Sequence, residues 1–128
     1  MARVVSAQVA ADLRAAADVL ERDGWTQGEY HRLVGNVICH CAEGAVALSS
    51  GGHDGLHLAP LNSTGVDYSL SYPGEEGDER RQAAEQALED FLEIGRGSIP
   101  IWNDKPGRTA AEVIAALRAA ADRAEAAS

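Results

Sequence analysis

The fold is decided by residues 6–24, whose sequence is SAQVAADLRAAADVLERDG. Apolar side chains recur in this stretch every three or four residues, the spacing of one face of an α-helix. Ser6 suits the capping position at the start of such a helix, and Gly24 suits a left-handed position after its last turn. The pattern therefore predicts a helix from Ser6 to about Asp23, with an alanine-rich face that permits close packing.

The composition extends this prediction to the whole chain of 128 residues, which carries a net charge of -9. Alanine contributes 24 residues, whereas Val, Ile, Leu and Phe together contribute 26, about one residue in five. A core built from so few large side chains requires closely packed helices. We expect one domain over residues 1–128, mainly α-helical, folded as a compact bundle of about four helices.

Three further helices are predicted downstream. A broad apolar face predicts a central helix over Val37–Ser49, and Gly44 in its middle indicates that another backbone approaches closely there. A third helix is predicted over Asp78–Ile94, with Asp78 as its cap and an acidic outer face. The last helix begins at Thr109, because Thr109 and Glu112 have the spacing of a capping box.

The connecting segments are less regular. Glu29–Val34 fits a short helical turn, and residues 52–77 are predicted to form a long irregular insertion that contains a short strand or hairpin near Val66–Leu70. The stretch Ile99–Asp104 is typical of an extended apolar connector. The Pro106-Gly107 pair that follows fits the centre of a type II turn. We expect residues 125–128 to fray.

Several functional classes are disfavoured. The chain has no run of 18 apolar residues and no apolar signal core at its start, so we expect neither a membrane span nor secretion. An isoelectric point near 4.8 argues against direct binding of nucleic acid or of an anionic membrane. Two cysteines one residue apart do not make a disulfide framework, and they favour a cytoplasmic protein with reduced thiols.

The two cysteines allow two kinds of chemistry. Together with His53 and His57, Cys39 and Cys41 form a set of zinc-type ligands, but a Cys-x-Cys pair on a helix points in divergent directions. We therefore expect no metal and no cofactor. Either Cys39 or Cys41 could instead act as a nucleophile beside a helix N-terminus. The base would then be one of the four histidines (His31, His40, His53 or His57), oriented by Asn103 or Asp104.

A second constellation combines Trp25 with Trp102, Asn103, Asp104 and Arg108. On a structural interpretation the two tryptophans anchor the core, Asn103 forms an Asx-turn and Asp104 pairs with Arg108. On a functional interpretation these residues line a cleft between the first and last helices, open to a small ligand or a protein partner. The sequence leaves both interpretations open.

The motifs around these residues resemble a small family of unknown function found in actinobacteria and their phages. The resemblance is carried by Gly-Trp at 24–25, Cys-x-x-Gly-Ala at 41–45, Trp-Asn-Asp at 102–104 and Arg-Thr-x-x-Glu-Val at 108–113. It covers most of the chain outside the insertion, and it brings no established activity. It implies a bacterial or phage protein, which suits ten arginines against one lysine. The candidate binding residues are Trp25, Cys41, Trp102, Asn103, Asp104 and Arg108.

The leading functional hypothesis is a non-enzymatic binding or regulatory module that acts on a host protein or a small ligand. One alternative is a small cysteine-dependent enzyme that uses Cys39 or Cys41. Another is an acidic decoy for a DNA-binding protein, with Glu85, Glu89 and Glu93 imitating phosphates. A homodimer also stays open, because alanine-rich helix faces pack well against a second copy.

Overall fold

A computed structural model describes residues 4–51, 57–60, 66–69 and 75–127 of the chain. Within these ranges it contains five helices and two antiparallel hairpins, which confirms a mainly helical fold with strands inside the insertion. The helices are α1 (Ser6–Asp23), α2 (Ala42–Ser50), α3 (Glu75–Leu92), α4 (Ile99–Asn103) and α5 (Ala110–Ala126). The strands are β1 (His31–Val34), β2 (Val37–His40), β3 (His57–Pro60) and β4 (Val66–Ser69). None of the described helices is long and apolar enough to cross a lipid bilayer.

The core lies between α1 and α5, with α2 and α3 packed against them. Leu13 and Leu20 of α1 are buried in one cluster with Val113 and Leu117 of α5. Small side chains fill the space around these few large ones and let the helix axes approach closely. The buried alanines of this cluster are Ala10, Ala16, Ala17, Ala42, Ala45, Ala84, Ala116, Ala120 and Ala121.

The ends of α1 differ in detail from the prediction. The helix spans Ser6–Asp23 as expected, but Ser6 is its first residue and Val5 occupies the capping position without a side-chain hydrogen bond. Gly24 has a φ of 105° and a ψ of 162°, so it is extended with positive φ rather than left-handed helical. This conformation turns the chain directly from α1 into the loop that carries Trp25.

The largest correction concerns residues 31–40, which form a hairpin and not helical segments. β1 replaces the helical turn expected over Glu29–Val34, and β2 occupies the first residues of the helix expected over Val37–Ser49. The reason is the Gly35-Asn36 turn between β-branched residues. A two-residue type II′ turn needs a positive φ at its first central residue only. Gly35 has a φ of 63°, whereas the φ of Asn36 is not positive, so the pair fits this turn.

Helix α2 therefore begins at Ala42, and Cys41 is its N-cap. Gly44 lies in its first turn, where an added Cβ would collide with the backbone carbonyl oxygen of Tyr30. The close backbone approach predicted for Gly44 is thus confirmed. A side chain at this position would push α2 away from the residue that precedes β1.

Helices α3 and α4 also depart from the prediction. α3 begins at Glu75 inside the expected insertion, so Asp78 lies within the helix and does not cap it. The helix ends at Leu92, two residues earlier than predicted, because Glu93 adopts a φ of 58°. The stretch predicted as an extended connector is the short helix α4, with Pro100 at an early position where its missing N–H costs nothing.

The start of α5 matches its prediction in detail. The N–H of Arg108 donates to the carbonyl oxygen of Lys105 at 3.0 Å, and Gly107 has a φ of 87°, as in a type II turn. Thr109 and Glu112 form the capping box. The helix then continues to Ala126, which places part of the tail that was expected to fray inside α5.

Candidate functional site

Asn103 is the centre of the constellation predicted around the two tryptophans. It is the last residue of α4 and is completely buried. Its side-chain oxygen Oδ1 accepts two hydrogen bonds, from Nε1 of Trp25 at 2.6 Å and from the backbone N–H of Ala42 at 3.0 Å. One amide oxygen thus joins α4 to the loop after α1 and to the first turn of α2. This replaces the local Asx-turn that the sequence suggested.

The amide nitrogen of Asn103 is also fully used. Nδ2 donates to the carbonyl oxygen of Thr26 at 3.1 Å and to Oδ1 of Asp104 at 2.9 Å. The same Asp104 oxygen accepts from the backbone N–H of Gly28 at 2.9 Å. Gln27 closes the contact by donating to the carbonyl oxygens of Asn103 and Lys105. The loop of residues 24–28 is therefore fastened to α4 along its length.

Arg108 has partners other than the predicted Asp104. Its guanidinium carbon lies 4.2 Å from the centroid of the Trp102 ring, a cation–π geometry. Its Nε donates to the carbonyl oxygen of Trp102 at 3.0 Å, and its other end pairs with Glu112 at 3.3 Å. The expected Asp104–Arg108 pair is therefore wrong, since Asp104 binds Gly28 and Asn103 instead.

An open groove of about 800 Å³ runs beside α4. We call it the α4 groove and define it by Pro100, Ile101, Trp102, Lys105 and Arg108. Ile101 is 76% exposed, the highest exposure among the large exposed hydrophobic side chains of the described residues. The groove therefore has an apolar wall formed by α4, and at one end the cations of Lys105 and Arg108 lie beside the carboxylate of Asp104.

A smaller cavity of about 320 Å³ lies on the other side of Pro100 and Asp104. Its lining includes Tyr30 and Cys41. Cys41 is almost completely buried, and its sulfur accepts the N–H of Gly44 at 3.3 Å. Burial outweighs this hydrogen bond and raises the pKa of the Cys41 thiol to about 11. The sulfur is therefore a protonated helix cap at neutral pH.

The second cysteine and two histidines lie around β2. Nδ1 of His31 and Nδ1 of His40 are 2.7 Å apart in a buried contact, so one ring donates and the other accepts. Burial, together with the neighbouring His31, lowers the pKa of His40, although Asp23 opposes this effect. The Cys39 thiol donates to the carbonyl oxygen of Asp23 at 3.3 Å. These groups satisfy each other inside the fold.

The residues proposed as metal ligands are not brought together. No group of three or more His, Cys, Asp or Glu side chains suited to a metal ion occurs in the part of the chain that the structure describes. Cys39 lies on β2 and Cys41 caps α2, so they do not share the helix on which they were placed. His53 lies outside the described residues, and His57 is described only as part of β3.

The acidic face predicted for α3 is only partly exposed. Glu89 is buried and accepts from the N–H of Gly97 at 2.8 Å while pairing with Arg96 at 3.2 Å. Glu85 is mostly buried against α2, where burial and the carboxyl group of Glu43 raise its pKa to about 7. Two carboxylates of the proposed phosphate-like row thus serve internal contacts, which corrects that expectation.

Sequence reasoning found the anchors of the site but missed their partners. The six candidate residues lie around α4, and Asn103 turns out to be an internal connector. Ile101 and Lys105, which carry the exposed chemistry of the α4 groove, were not singled out. Lys105 did have a signal, since it is the single lysine of the chain. Whether the six residues bind anything stays a prediction.

Comparison with known proteins places these motifs in a family context. A family model described as a family of unknown function (DUF6197) matches residues 5–123. No curated protein and no solved structure matches the chain. The match covers four helices completely and most of α5, and it includes both the Asn103 network and the α4 groove.

Proposed function

Since the chain belongs to the DUF6197 family, a family of unknown function, we propose from the geometry of its site that it is a non-enzymatic binding module. The surface that binds is the α4 groove. Its partner is an extended segment of another protein that carries acidic residues beside a large apolar side chain. The observation behind this proposal is the exposed side chain of Ile101 next to Lys105, a cation without an ion-pair partner in the described part of the chain.

The apolar wall supports the proposal because it is both exposed and rigid. Ile101 extends from α4 between Pro100 and the half-buried Trp102. The helix is fixed at its end by the buried Asn103, and Trp102 is covered on one side by Arg108. An exposed aliphatic side chain on a fixed support loses little conformational entropy when a partner covers it.

The charge of the groove indicates the chemistry of that partner. The protein carries -9 overall, yet Lys105 and Arg108 both lie at one end of the groove. Lys105 forms no ion pair with any residue in the described ranges. Asp104, the carboxylate that also lines the groove, accepts hydrogen bonds from Gly28 and Asn103 through its Oδ1. Complementary charge therefore favours an acidic partner at this place on an acidic protein.

The form of the groove favours a protein segment over a small molecule. Small-ligand sites enclose most of the ligand surface, whereas the α4 groove is open along one side. An extended peptide can place one apolar side chain on Ile101 and Trp102 while a carboxylate reaches Lys105. We also propose that the protein is bacterial or from a phage and acts in the cytoplasm. The arginine content supports the first statement, and the free cysteines support the second.

The alternative functions gain less support from the geometry. Thiolate chemistry at Cys41 would require a proton to leave a buried sulfur whose pKa is about 11. A decoy surface on α3 would require carboxylates that point outwards, whereas Glu89 and Glu85 are engaged inside the fold. Neither alternative has an exposed arrangement comparable with the α4 groove.

A random dodecamer peptide library displayed on phage tests the proposal. Selected peptides are synthesised, and their affinities are measured by calorimetry against the wild-type chain and against the variants Ile101→Ser and Lys105→Glu. We expect peptides that combine Asp or Glu with a large apolar residue. Each variant should weaken their binding by about tenfold, since one apolar contact or one charge pair contributes about 1.4 kcal/mol.

Leu48→Ser is the matched control, because Leu48 is an aliphatic residue of α2 with 43% exposure and does not line the groove. It should leave the affinities unchanged. The proposal is overturned if the selected peptides bind both groove variants as tightly as the wild type, or if no peptide is enriched. Enrichment of basic peptides that lose affinity after carboxylates on α3 are reversed would favour the decoy instead.

A further inference from the structure

The β1–β2 hairpin ends in a patch of aliphatic side chains that the binding function does not use. Leu33, Val34 and Val37 are 38%, 55% and 45% exposed. The two valines are opposite each other across the hairpin, whereas Leu33 projects from the other face beside Ile38. Exposed apolar side chains on both faces of the hairpin end form a patch, and such a patch is typical of a surface that another protein covers.

The outer edge of β1 has backbone groups available for another strand. A two-residue turn makes Val34 and Val37 the first hydrogen-bonded pair, so the next pair, Leu33 and Ile38, directs its N–H and C=O groups away from the hairpin. Within the described residues β1 pairs with β2 and with no other strand. Bulges and prolines commonly protect a sheet edge from further pairing. The register of β1 with β2 contains no bulge, and β1 contains no proline.

The charge around the hairpin indicates which strand arrives there. Two copies that each carry -9 repel one another over most of their surfaces. From Tyr30 to Ala42, however, the sequence contains no Asp or Glu, and its one formally charged side chain, Arg32, is paired with Glu29. The hairpin is thus a place where two acidic copies can meet with the nearest carboxylate, Glu29, already paired with Arg32.

We propose that two copies of this chain associate through the outer edges of β1, antiparallel, to form a four-stranded sheet in the order β2–β1–β1–β2. The twofold axis passes beside Leu33, so that each Leu33 exchanges its outward N–H and C=O with the same residue of the other copy. The two Leu33 side chains then cover each other on one face. Such an interface is self-complementary, as a twofold dimer requires.

Sedimentation velocity across the micromolar range tests this association with the full chain. The wild type should shift with concentration from the mass of one chain, 13.5 kDa, towards twice that mass. Leu33→Lys places two like charges opposite each other at the axis, and Arg32→Glu replaces the Arg32–Glu29 ion pair of each copy with two unpaired carboxylates beside the shared edge. Each should weaken the association by about tenfold or more, since like charges directly opposite in a sheet are destabilising.

Leu48→Lys is the control, because it replaces another exposed leucine outside the hairpin. Circular dichroism confirms that each variant is folded. In the wild type the amide of Leu33 should also exchange more slowly with deuterium as the concentration rises. A wild type that stays at the mass of one chain overturns the proposal. So does a dimer that neither hairpin variant weakens, or one that Leu48→Lys dissociates equally.

Discussion

Asn103 shows how much of the site depends on one side chain. A buried amide stabilises a fold only when its donors and its acceptor find partners, and Asn103 satisfies all of them with residues from three elements. Its partners Trp25 and Ala42 are 78 and 61 residues away in the sequence. No local pattern could indicate those contacts, although the Trp-Asn-Asp motif did mark the residue itself.

Asn103→Ala should lower the free energy of unfolding by about 3 kcal/mol, because it leaves the part-buried Trp25 indole N–H and the buried Ala42 backbone N–H without their acceptor. Urea unfolding followed by circular dichroism measures the loss. Gln86→Ala, an exposed position on α3, should change stability by less than about 0.5 kcal/mol. An Asn103→Ala variant as stable as this control would mean that the network contributes no net stability.

Cys41 is the residue that separates a structural thiol from a catalytic one. In a Cys39→Ser background, the rate of carbamidomethylation by iodoacetamide should stay low at neutral pH and rise only as the pH approaches about 11, where burial places the Cys41 pKa. The single-cysteine Cys41→Ser variant, which keeps Cys39, is the matched comparison. A Cys41 rate that reaches its plateau near pH 7 would favour the cysteine-dependent enzyme.

At the scale of elements, the contact between α2 and α3 contains a pair of facing carboxyl groups. Glu43 and Glu85 approach each other beside Arg81, and Oε2 of Glu43 is buried with no hydrogen-bond partner among the described residues. A proton on Glu85 can fill this position. Burial and the carboxyl group of Glu43 accordingly raise the pKa of Glu85 to about 7.

This pair predicts how stability depends on pH. Glu85 takes up its proton more readily in the folded state than in the unfolded state, where its pKa is near 4.5. The stability that the protonated form provides is therefore present below pH 4.5 and is lost as the pH rises through about 7. Urea titrations measure the free energy of unfolding at pH 5 and at pH 8. From pH 5 to pH 8 this free energy should fall by on the order of 2 kcal/mol more in the wild type than in Glu85→Gln.

Comparing the two proteins removes other titrations from the measurement. His40, whose pKa is lowered by burial, contributes in the opposite direction, because its neutral form is favoured as the pH rises past 6.5. Glu79→Gln is the control, because it removes a carboxylate from a different face of the same helix. Its free energy of unfolding should change between pH 5 and pH 8 as much as that of the wild type. Equal pH dependence in wild type and Glu85→Gln would show that the carboxyl pair has no such role.

The elements themselves were predictable where one local signal dominates. The apolar stripe of α1 and the capping box of α5 each predicted a helix, and the predicted bounds nearly match those of the structure. Residues 37–40 gave the wrong type, because a short apolar run fits a buried helix as well as a strand. The Gly35-Asn36 pair between Val34 and Val37 was the signal that distinguishes them, and it marks a hairpin.

On the scale of the whole molecule, charge is distributed so that two surfaces escape the acidic excess. The chain carries a net charge of -9, and exposed ion pairs such as Arg14 with Asp122 and Arg118 with Asp18 link α1 to α5. The α4 groove carries Lys105, and the hairpin end has no carboxylate of its own. Both proposed interfaces, one for an acidic segment and one for a second copy, lie where the approach of negative charge costs least.

The sequence by itself determined the helical class, the bounds of α1, the start of α5, the backbone approach at Gly44 and the motifs that lie around α4. These features depend on periodicity, caps and turns that act within a few residues. Only the tertiary structure decided that Asn103 is buried among three elements, that Glu89 and Cys41 face inwards, and that Ile101 faces solvent. Burial and partners depend on residues far apart in the chain, and for those contacts the chain order carries no local signal.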